Sequence, residues 1–240
     1  MVEGQNKIRK ALILAAGFGN RLRPLTEKTP KPLLTVQGIT MLERAIRKLV
    51  EAGIEEIVVN THYHAEQIHD FLKGYEAPNI SLRYEYESDI LDVGGGVKNV
   101  MAKYSPNEPM LVMNSDILLE GSLNPLINAW QKEKMHALLL LYKKQEGRGD
   151  FNLATNNKII RQPATGGEFT WTGVSIMHPQ LFHNYNSKKF HITDILFRAS
   201  PEDYDSYLYF GLVHNKKWLD IGNLVNYEYA CKSWIESNAT

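Results

Sequence analysis

The chain has 240 residues, 27 acidic and 27 basic side chains, 43% hydrophobic content and one cysteine. That length suits one large α/β domain with a substantial core rather than two independent ones, and balanced charge gives no global field to hold nucleic acid or an anionic membrane. Cys231 alone excludes an intramolecular disulfide and is expected of a reducing cytoplasm; residues 1–10 lack an apolar signal core, and no apolar run approaches the ~18 residues of a membrane span.

In chain order, residues 11–14 read as a buried first strand. Thr40 and Glu43 form a capping-box pattern ahead of Leu42, Ala45, Ile46, Leu49 and Val50, which predicts a helix, and Gly53 sits where it should stop. Residues 57–59 predict a short buried strand. A second helix is expected over 64–73, with Ala65, Ile68, Phe71 and Leu72 on one face and Gly74 closing it. Strands are expected at 80–86 and 110–113, a helix at 123–134, and a very apolar strand at 136–142. Repeated strand–helix–strand units predict a Rossmann-like three-layer α/β/α fold with a mostly parallel sheet. Ligands of such sheets bind beyond the carboxyl ends of the strands, where Gly17, Asn60 and Asn114 fall. From 143 to 214 the pattern breaks into shorter strands, turns and aromatics. The expectation is one domain over 1–240, with a change of pattern at about residue 142.

The most informative stretch is Leu14-Ala15-Ala16-Gly17-Phe18-Gly19-Asn20-Arg21-Leu22-Arg23-Pro24-Leu25-Thr26, followed by Pro30-Lys31-Pro32-Leu33. Glycines at a strand end let backbone N–H groups approach an anion, and Arg21, Arg23 and Lys31 can neutralise several phosphate charges. Spacing rejects a Walker loop. It also rejects the dinucleotide fingerprint, which would need a third glycine at Leu22.

These residues resemble the signature of the sugar-1-phosphate nucleotidylyltransferases, with Asn20 where that family usually has threonine. Further resemblances follow in order: Gly94-Gly95-Gly96, Asn114-Ser115-Asp116, Gly147-Arg148-Gly149-Asp150-Phe151, Trp171-Thr172-Gly173-Val174 and Trp218-Leu219-Asp220-Ile221-Gly222. The Gly-Arg-Gly-Asp-Phe element and the short length look most like the N-acetylmuramate-1-phosphate uridylyltransferases of cell-wall recycling. The alternatives are a mannose- or heptose-1-phosphate guanylyltransferase, a glycosyltransferase on a similar fold, and a non-catalytic sugar-nucleotide-binding subunit. Glycosyltransferases usually show Asp-x-Asp at the metal, which Asn114-Ser115-Asp116 is not. A binding subunit would be expected to lose Arg21, Lys31 or a metal acid.

The resemblance implies that a sugar 1-phosphate oxygen attacks the α-phosphorus of a nucleoside triphosphate and pyrophosphate leaves. Catalysis would then be positioning and electrostatics with Mg²⁺ as cofactor. The resemblance also implies a nucleotide-binding half at about 1–142 and a sugar-binding half at about 143–240 that returns to the metal site. It places metal ligands at Asp116 and Asp220, and Ser115 departs from the family's usual glycine. Arg21 and Lys31 are the catalytic candidates. Ala15, Ala16, Gly17, Gly19, Asp89, Gly94, Gly95 and Asn114 are the nucleotide-binding candidates, and Asp150, Thr172 and Gly173 those for the sugar. Where many relatives carry Glu-Lys-Pro, this chain has Arg161-Gln162-Pro163; Arg148 or Arg161 are the candidates to supply the missing charge. The expected partners are the two substrates, with no nucleic acid or membrane, in a monomer or small homo-oligomer. His62, His64 and His69 lack an acidic or cysteine partner at a known zinc spacing and read as strand-end or surface histidines.

Overall fold

The computed structural model describes residues 8–131, 134–145, 148–160, 166–183, 185–196 and 208–234. Its strands are β1 (Lys10–Leu14), β2 (Thr35–Val36), β3 (Ile39–Thr40), β4 (Glu56–Thr61), β5 (Ser81–Tyr86), β6 (Met110–Asn114), β7 (Ile117–Leu119), β8 (Ala137–Lys143), β9 (Asn152–Leu153), β10 (Ile159–Ile160), β11 (Phe169–Met177), β12 (Tyr209–His214) and β13 (Trp218–Asp220). Helices are α1 (Met41–Glu51), α2 (Ala65–Gly74), α3 (Asp92–Tyr104), α4 (Asn124–Ala129), α5 (Ile192–Leu196) and α6 (Leu224–Ser233). Seven strands form one sheet in the order β12-β8-β11-β6-β1-β4-β5. β1, β4 and β5 run parallel, as do β12 and β8, while β11 is antiparallel to β8. The mostly parallel α/β fold is the one the strand–helix alternation predicts.

Two compact units make up the chain: residues 9–90, 113–123 and 216–240 in one, residues 1–8, 91–112 and 124–215 in the other. They interleave along the sequence. In the first unit, the apolar run of β1 pairs with β4 in the register Leu14↔Asn60, and Asn60 pairs onward with Glu85 of β5. The α1 helix begins as expected, with the Thr40 hydroxyl accepting from Glu43 N at 3.1 Å. Such a cap stabilises by about 1 kcal/mol. Its buried stripe is Met41, Leu42, Ala45, Ile46 and Leu49, and Gly53 takes φ 81° just past the stop. A separate apolar cluster joins Val36, Met41, Leu118, Ile221, Ala230 and Trp234.

Two helices differ from expectation. α4 is six residues long and ends at Ala129 rather than running on towards Lys134. α3 was not legible, because the Gly94-Gly95-Gly96 run that opens it carries an intrinsic cost of about 1 kcal/mol per glycine. Tertiary packing in the second unit explains the choice. A Cβ on Gly94 would lie 2.3 Å from the Phe190 ring, and one on Gly95 would lie 2.2 Å from the Lys188 carbonyl oxygen.

Candidate active site

The loop that leaves β1 is built from three short 3-10 turns, Asn20–Leu22, Leu25–Glu27 and Lys31–Leu33. Leu22 is fully buried and anchors the first of them, which is the physical role of the side chain that breaks the dinucleotide spacing. The two glycines of the loop have different reasons to be glycine. Gly19 has φ 66°, and a Cβ there would lie 2.8 Å from Thr26 Cγ2. Its carbonyl accepts the Thr26 hydroxyl at 2.9 Å. Gly17 has no such constraint: a Cβ would meet nothing within 4 Å. The fold does not demand glycine at 17, whereas close approach of a ligand would.

Ala15 and Ala16 are buried at the carboxyl edge of the sheet. Ala15 N donates to Asn60 Oδ1 at 2.8 Å, and Asn60 Nδ2 donates to Glu87 Oε1 at 2.7 Å. Asn60 and Glu87 are 3% and 4% exposed, so this polar chain sits where unmet hydrogen bonds are costly. Ser115, also buried, gives both its N–H and its hydroxyl (2.7 Å) to the Leu14 carbonyl, tying the end of β6 to the end of β1. The serine that departs from the family glycine is therefore a hydrogen-bonding strut. Beside it, Asn114 Oδ1 is buried and has no hydrogen-bond partner among the described residues.

The two acids come together although 104 positions separate them. β7 and β13 pair antiparallel with Asp220 opposite Ile117, and Ile221 N donates to the Asp116 carbonyl at 2.8 Å. Burial of Leu118 and Ile221 in the apolar cluster anchors this ribbon, at about 1.5–3 kcal/mol per fully buried side chain. From the other side, Asn226 Nδ2 donates to the Asp220 carbonyl at 2.7 Å, and Asn223 caps α6 through Asn226 N. Lys31 Nζ is hydrogen-bonded to Asp116 Oδ2, with both side chains largely buried. Gly222 fits beneath the remaining pair: a Cβ would lie 2.7 Å from Asp220 Oδ2 and 3.1 Å from Arg21 Nη2. Any larger residue there would push the guanidinium or the carboxylate aside.

Burial raises the Asp220 carboxyl above the usual carboxylate range. The neighbouring Asp116 carboxylate adds to that, while Lys31 and Arg21 oppose it. Two mutually repelling hard-oxygen groups, partly withdrawn from water, are a donor set suited to a divalent cation that shares its remaining positions with phosphates and water. No group of three or more His, Cys, Asp or Glu with metal-binding geometry occurs among the described residues, so His62, His64 and His69 form no such cluster.

Arg21, Lys31, Asp116 and Asp220 are thus brought to one place within one unit, with Gly17, Gly19, Ala15, Ala16 and Asn114 on the same loop and strand ends. Asp89, in the same unit, is exposed and takes only a long 3.4 Å hydrogen bond from Ser88 Oγ. In the other unit, Gly94, Gly95, Thr172 and Gly173 are engaged by the fold. Gly94 and Gly95 lie in a buried helical turn whose N–H groups both donate to the Phe190 carbonyl, at 3.0 and 3.3 Å, so close packing accounts for them. Thr172 is fully buried, and its hydroxyl donates to the Leu140 carbonyl at 2.8 Å; it is not a free donor for a sugar hydroxyl. Gly173 has φ 85° in an irregular stretch of the β11–β8 register between Trp171 and Ser175, which accounts for its identity. Asp150 is exposed, as a sugar contact requires. Its carboxylate accepts from the Thr170 hydroxyl and, at 3.4 Å, from Trp171 N. Gly147, Arg161, Gln162 and Pro163 lie outside the described residues.

The polar chain through Asn60 and Glu87 and the fitted Gly222 are site features that the motifs alone left unassigned. A polar residue closing the apolar run 57–59, an acid just past a strand, and a glycine two residues after Asp220 were the signals available.

A family profile described as "Nucleotidyl transferase" matches residues 10–155. The chain is 29% identical over 221 residues to the N-acetylmuramate alpha-1-phosphate uridylyltransferase of Neisseria meningitidis, spanning 90% of this chain and 94% of that protein. It is 31% identical over 185 residues to the enzyme of the same name from Caulobacter vibrioides, spanning 71% and 76%. A mannose-1-phosphate guanyltransferase from Hypocrea jecorina is 34% identical over 141 residues, spanning 57% of this chain and 38% of that protein. The fold is shared with the crystal structure of HddC from Yersinia pseudotuberculosis complexed with GMP-PN, at a TM-score of 0.76 and 22% identity over 94% of this chain and 99% of that one.

Proposed function

The chain belongs to the nucleotidyl transferase family and transfers a nucleotidyl group from a nucleoside triphosphate to a sugar 1-phosphate; within that chemistry we propose UTP and N-acetylmuramate 1-phosphate as the substrate pair. The products are UDP-N-acetylmuramate and pyrophosphate, in the service of cell-wall recycling in the cytoplasm. The observation that carries the chemistry is the cluster of Arg21, Lys31, Asp116 and Asp220 at the carboxyl edge of the sheet, beside a glycine with open space above it. The choice of pair rests on likeness to two uridylyltransferases over most of the chain.

Asp116 and Asp220 are the residues that would hold Mg²⁺. When bound there, Mg²⁺ would supply positive charge that offsets the negative charge of the phosphates. Everything else is done by the chain. Backbone N–H groups around Gly17 receive the triphosphate, which the missing side chain allows to come close. The planar donors of Arg21 match the β- and γ-phosphate oxygens and strengthen their contact as charge moves onto departing pyrophosphate. Lys31, already pinned to Asp116, is a point charge for the α-phosphate and the incoming sugar phosphate. Asn114 Oδ1, a buried acceptor without a partner, is available to a hydroxyl of either substrate. Asp150 is the acceptor we assign to a sugar hydroxyl or amide, and Asp89 a rim contact for the base.

A guanylyltransferase acting on mannose 1-phosphate is the second reading, favoured by the identity to the Hypocrea enzyme over the shared 141 residues. Pyrophosphate release measured over four nucleoside triphosphates and a panel of sugar 1-phosphates separates the two. UTP with N-acetylmuramate 1-phosphate is expected to give the highest kcat/KM; a better rate with GTP and mannose 1-phosphate would overturn the first reading.

A further inference from the structure

The phosphate loop is held from behind by a short stretch that no signature motif includes. Between β4 and α2, residues 62–64 and the first turn of α2 direct three side chains at three consecutive loop carbonyls. Tyr63 Oη donates to the Thr26 carbonyl at 3.1 Å, His64 Nε2 lies 3.1 Å from the Glu27 carbonyl, and Gln67 Nε2 donates to the Lys28 carbonyl at 2.9 Å. Because a carbonyl oxygen only accepts, the His64 contact requires the proton on Nε2. His64 adopts φ 50°, ψ 38° at the N-cap of α2, a left-handed conformation that residues with a Cβ seldom take. Further along the same stretch, the Phe18 ring contacts those of His62 and Tyr63, edge-on to the first with centroids 5.4 Å apart.

These contacts meet the loop at its midpoint. Thr26, whose carbonyl is held by Tyr63, passes its own hydroxyl to Gly19, so the restraint reaches the turn that carries Arg21. Lys28 precedes the turn that carries Lys31 by three residues. At the start of the loop, Asn60 holds Ala15 N. A loop with exposed turns and only short-range backbone bonds of its own would otherwise sample many conformations, and the geometry of Arg21 and Lys31 would spread with it.

We propose that residues 60–67 form a clamp that sets the position of the phosphate loop, with Tyr63, His64 and Gln67 as positioning residues for Arg21 and Lys31. The proposal rests on the reading of this loop as the triphosphate site. The clamp touches no reacting atom and acts on the rate by keeping two cations in register with the acids.

Tyr63→Phe combined with Gln67→Ala removes two donors while leaving the packing surfaces largely in place. The readout is hydrogen exchange of the Leu22, Arg23 and Glu27 amides, which are bonded within the loop, against Ala45, Ile46 and Leu49 of α1. The loop amides are expected to exchange about tenfold faster in the double variant, with those of α1 unchanged. kcat for pyrophosphate release should fall about tenfold, with the KM for sugar 1-phosphate within about twofold. Gln67→Lys, which restores a donor, should behave closer to the parent than Gln67→Glu, which presents an acceptor to an acceptor. Loop exchange equal to the parent's, equal acceleration in α1, or faster loop exchange with unchanged kcat would each overturn the clamp. If the unsubstituted protein released pyrophosphate with no substrate pair, the substrate reading would fail while the exchange data still decided the clamp.

Discussion

The loop of residues 15–33 and the stretch of residues 148–173 both carry motif residues, yet the structure treats them in opposite ways. In the loop, two of the cationic side chains that the motif supplies, Arg21 and Lys31, gather at the acids. Lys31 meets Asp116, Arg21 lies beside Asp220, and Gly17 has open space where a side chain would be. In the second stretch, some motif residues are engaged by the fold: the Thr172 hydroxyl goes to Leu140 and Gly173 serves a backbone irregularity, while Arg148 and Asp150 stay exposed. A recognisable motif therefore mixes two kinds of residue: a side chain spent on a backbone carbonyl, as at Thr172, differs from one paired with another charged residue of the site, as at Lys31.

The sharpest way to break that contrast is at the acids. Asp220→Asn removes one of two charges that gather near the reacting phosphates, and turnover should fall about 10³-fold with the melting temperature near that of the parent. Near-normal turnover in a folded variant would remove Asp220 from the metal site. Arg21→Ala comes next: a loss of about 3 kcal/mol of transition-state stabilisation is expected, seen as slower chemistry in pre-steady-state kinetics with nucleotide affinity little changed.

Motif residues held by packing, in that stretch and at Gly94, should respond in stability instead. Gly94→Ala forces a methyl into the Phe190 ring, and overpacking of this kind costs about 1–3 kcal/mol, read as a lower denaturant midpoint. Asp150→Ala tests an exposed acceptor of the second stretch. The KM for sugar 1-phosphate should rise about tenfold, near the ~1–3 kcal/mol of an interaction with a buried polar partner, while that for UTP stays put. The smallest effect is expected at Thr172→Val. Stability should drop by about 1 kcal/mol with sugar kinetics unaltered; a raised sugar KM in that variant would return Thr172 to the pocket.

Several features were legible in order along the chain because they depend on neighbours in sequence. Hydrophobic period marked β1, β4 and the buried face of α1, and Thr40 marked the cap three residues ahead of Glu43. The anion-binding character of the loop followed from glycines and cations within a dozen residues of one another. α3 was hidden for the converse reason: its glycines are poor helix formers, and what favours them is Phe190 and Lys188, about 95 residues away.

By itself, then, the sequence determined the α/β alternation, the glycine-containing basic loop after β1 and the chemical class of the side chains on it. These are local properties, written in spacing and residue type. Only the tertiary structure decided which of those side chains stay available. It paired β7 with β13 to bring Asp220 to Asp116, placed Gly222 under Arg21, turned Ser115 into a strut on Leu14, and withdrew Thr172 into the sheet. The reason is physical: a hydroxyl, carboxylate or glycine has the same covalent form whether it acts or supports. Which it does depends on the partner that packing delivers from a distant part of the chain.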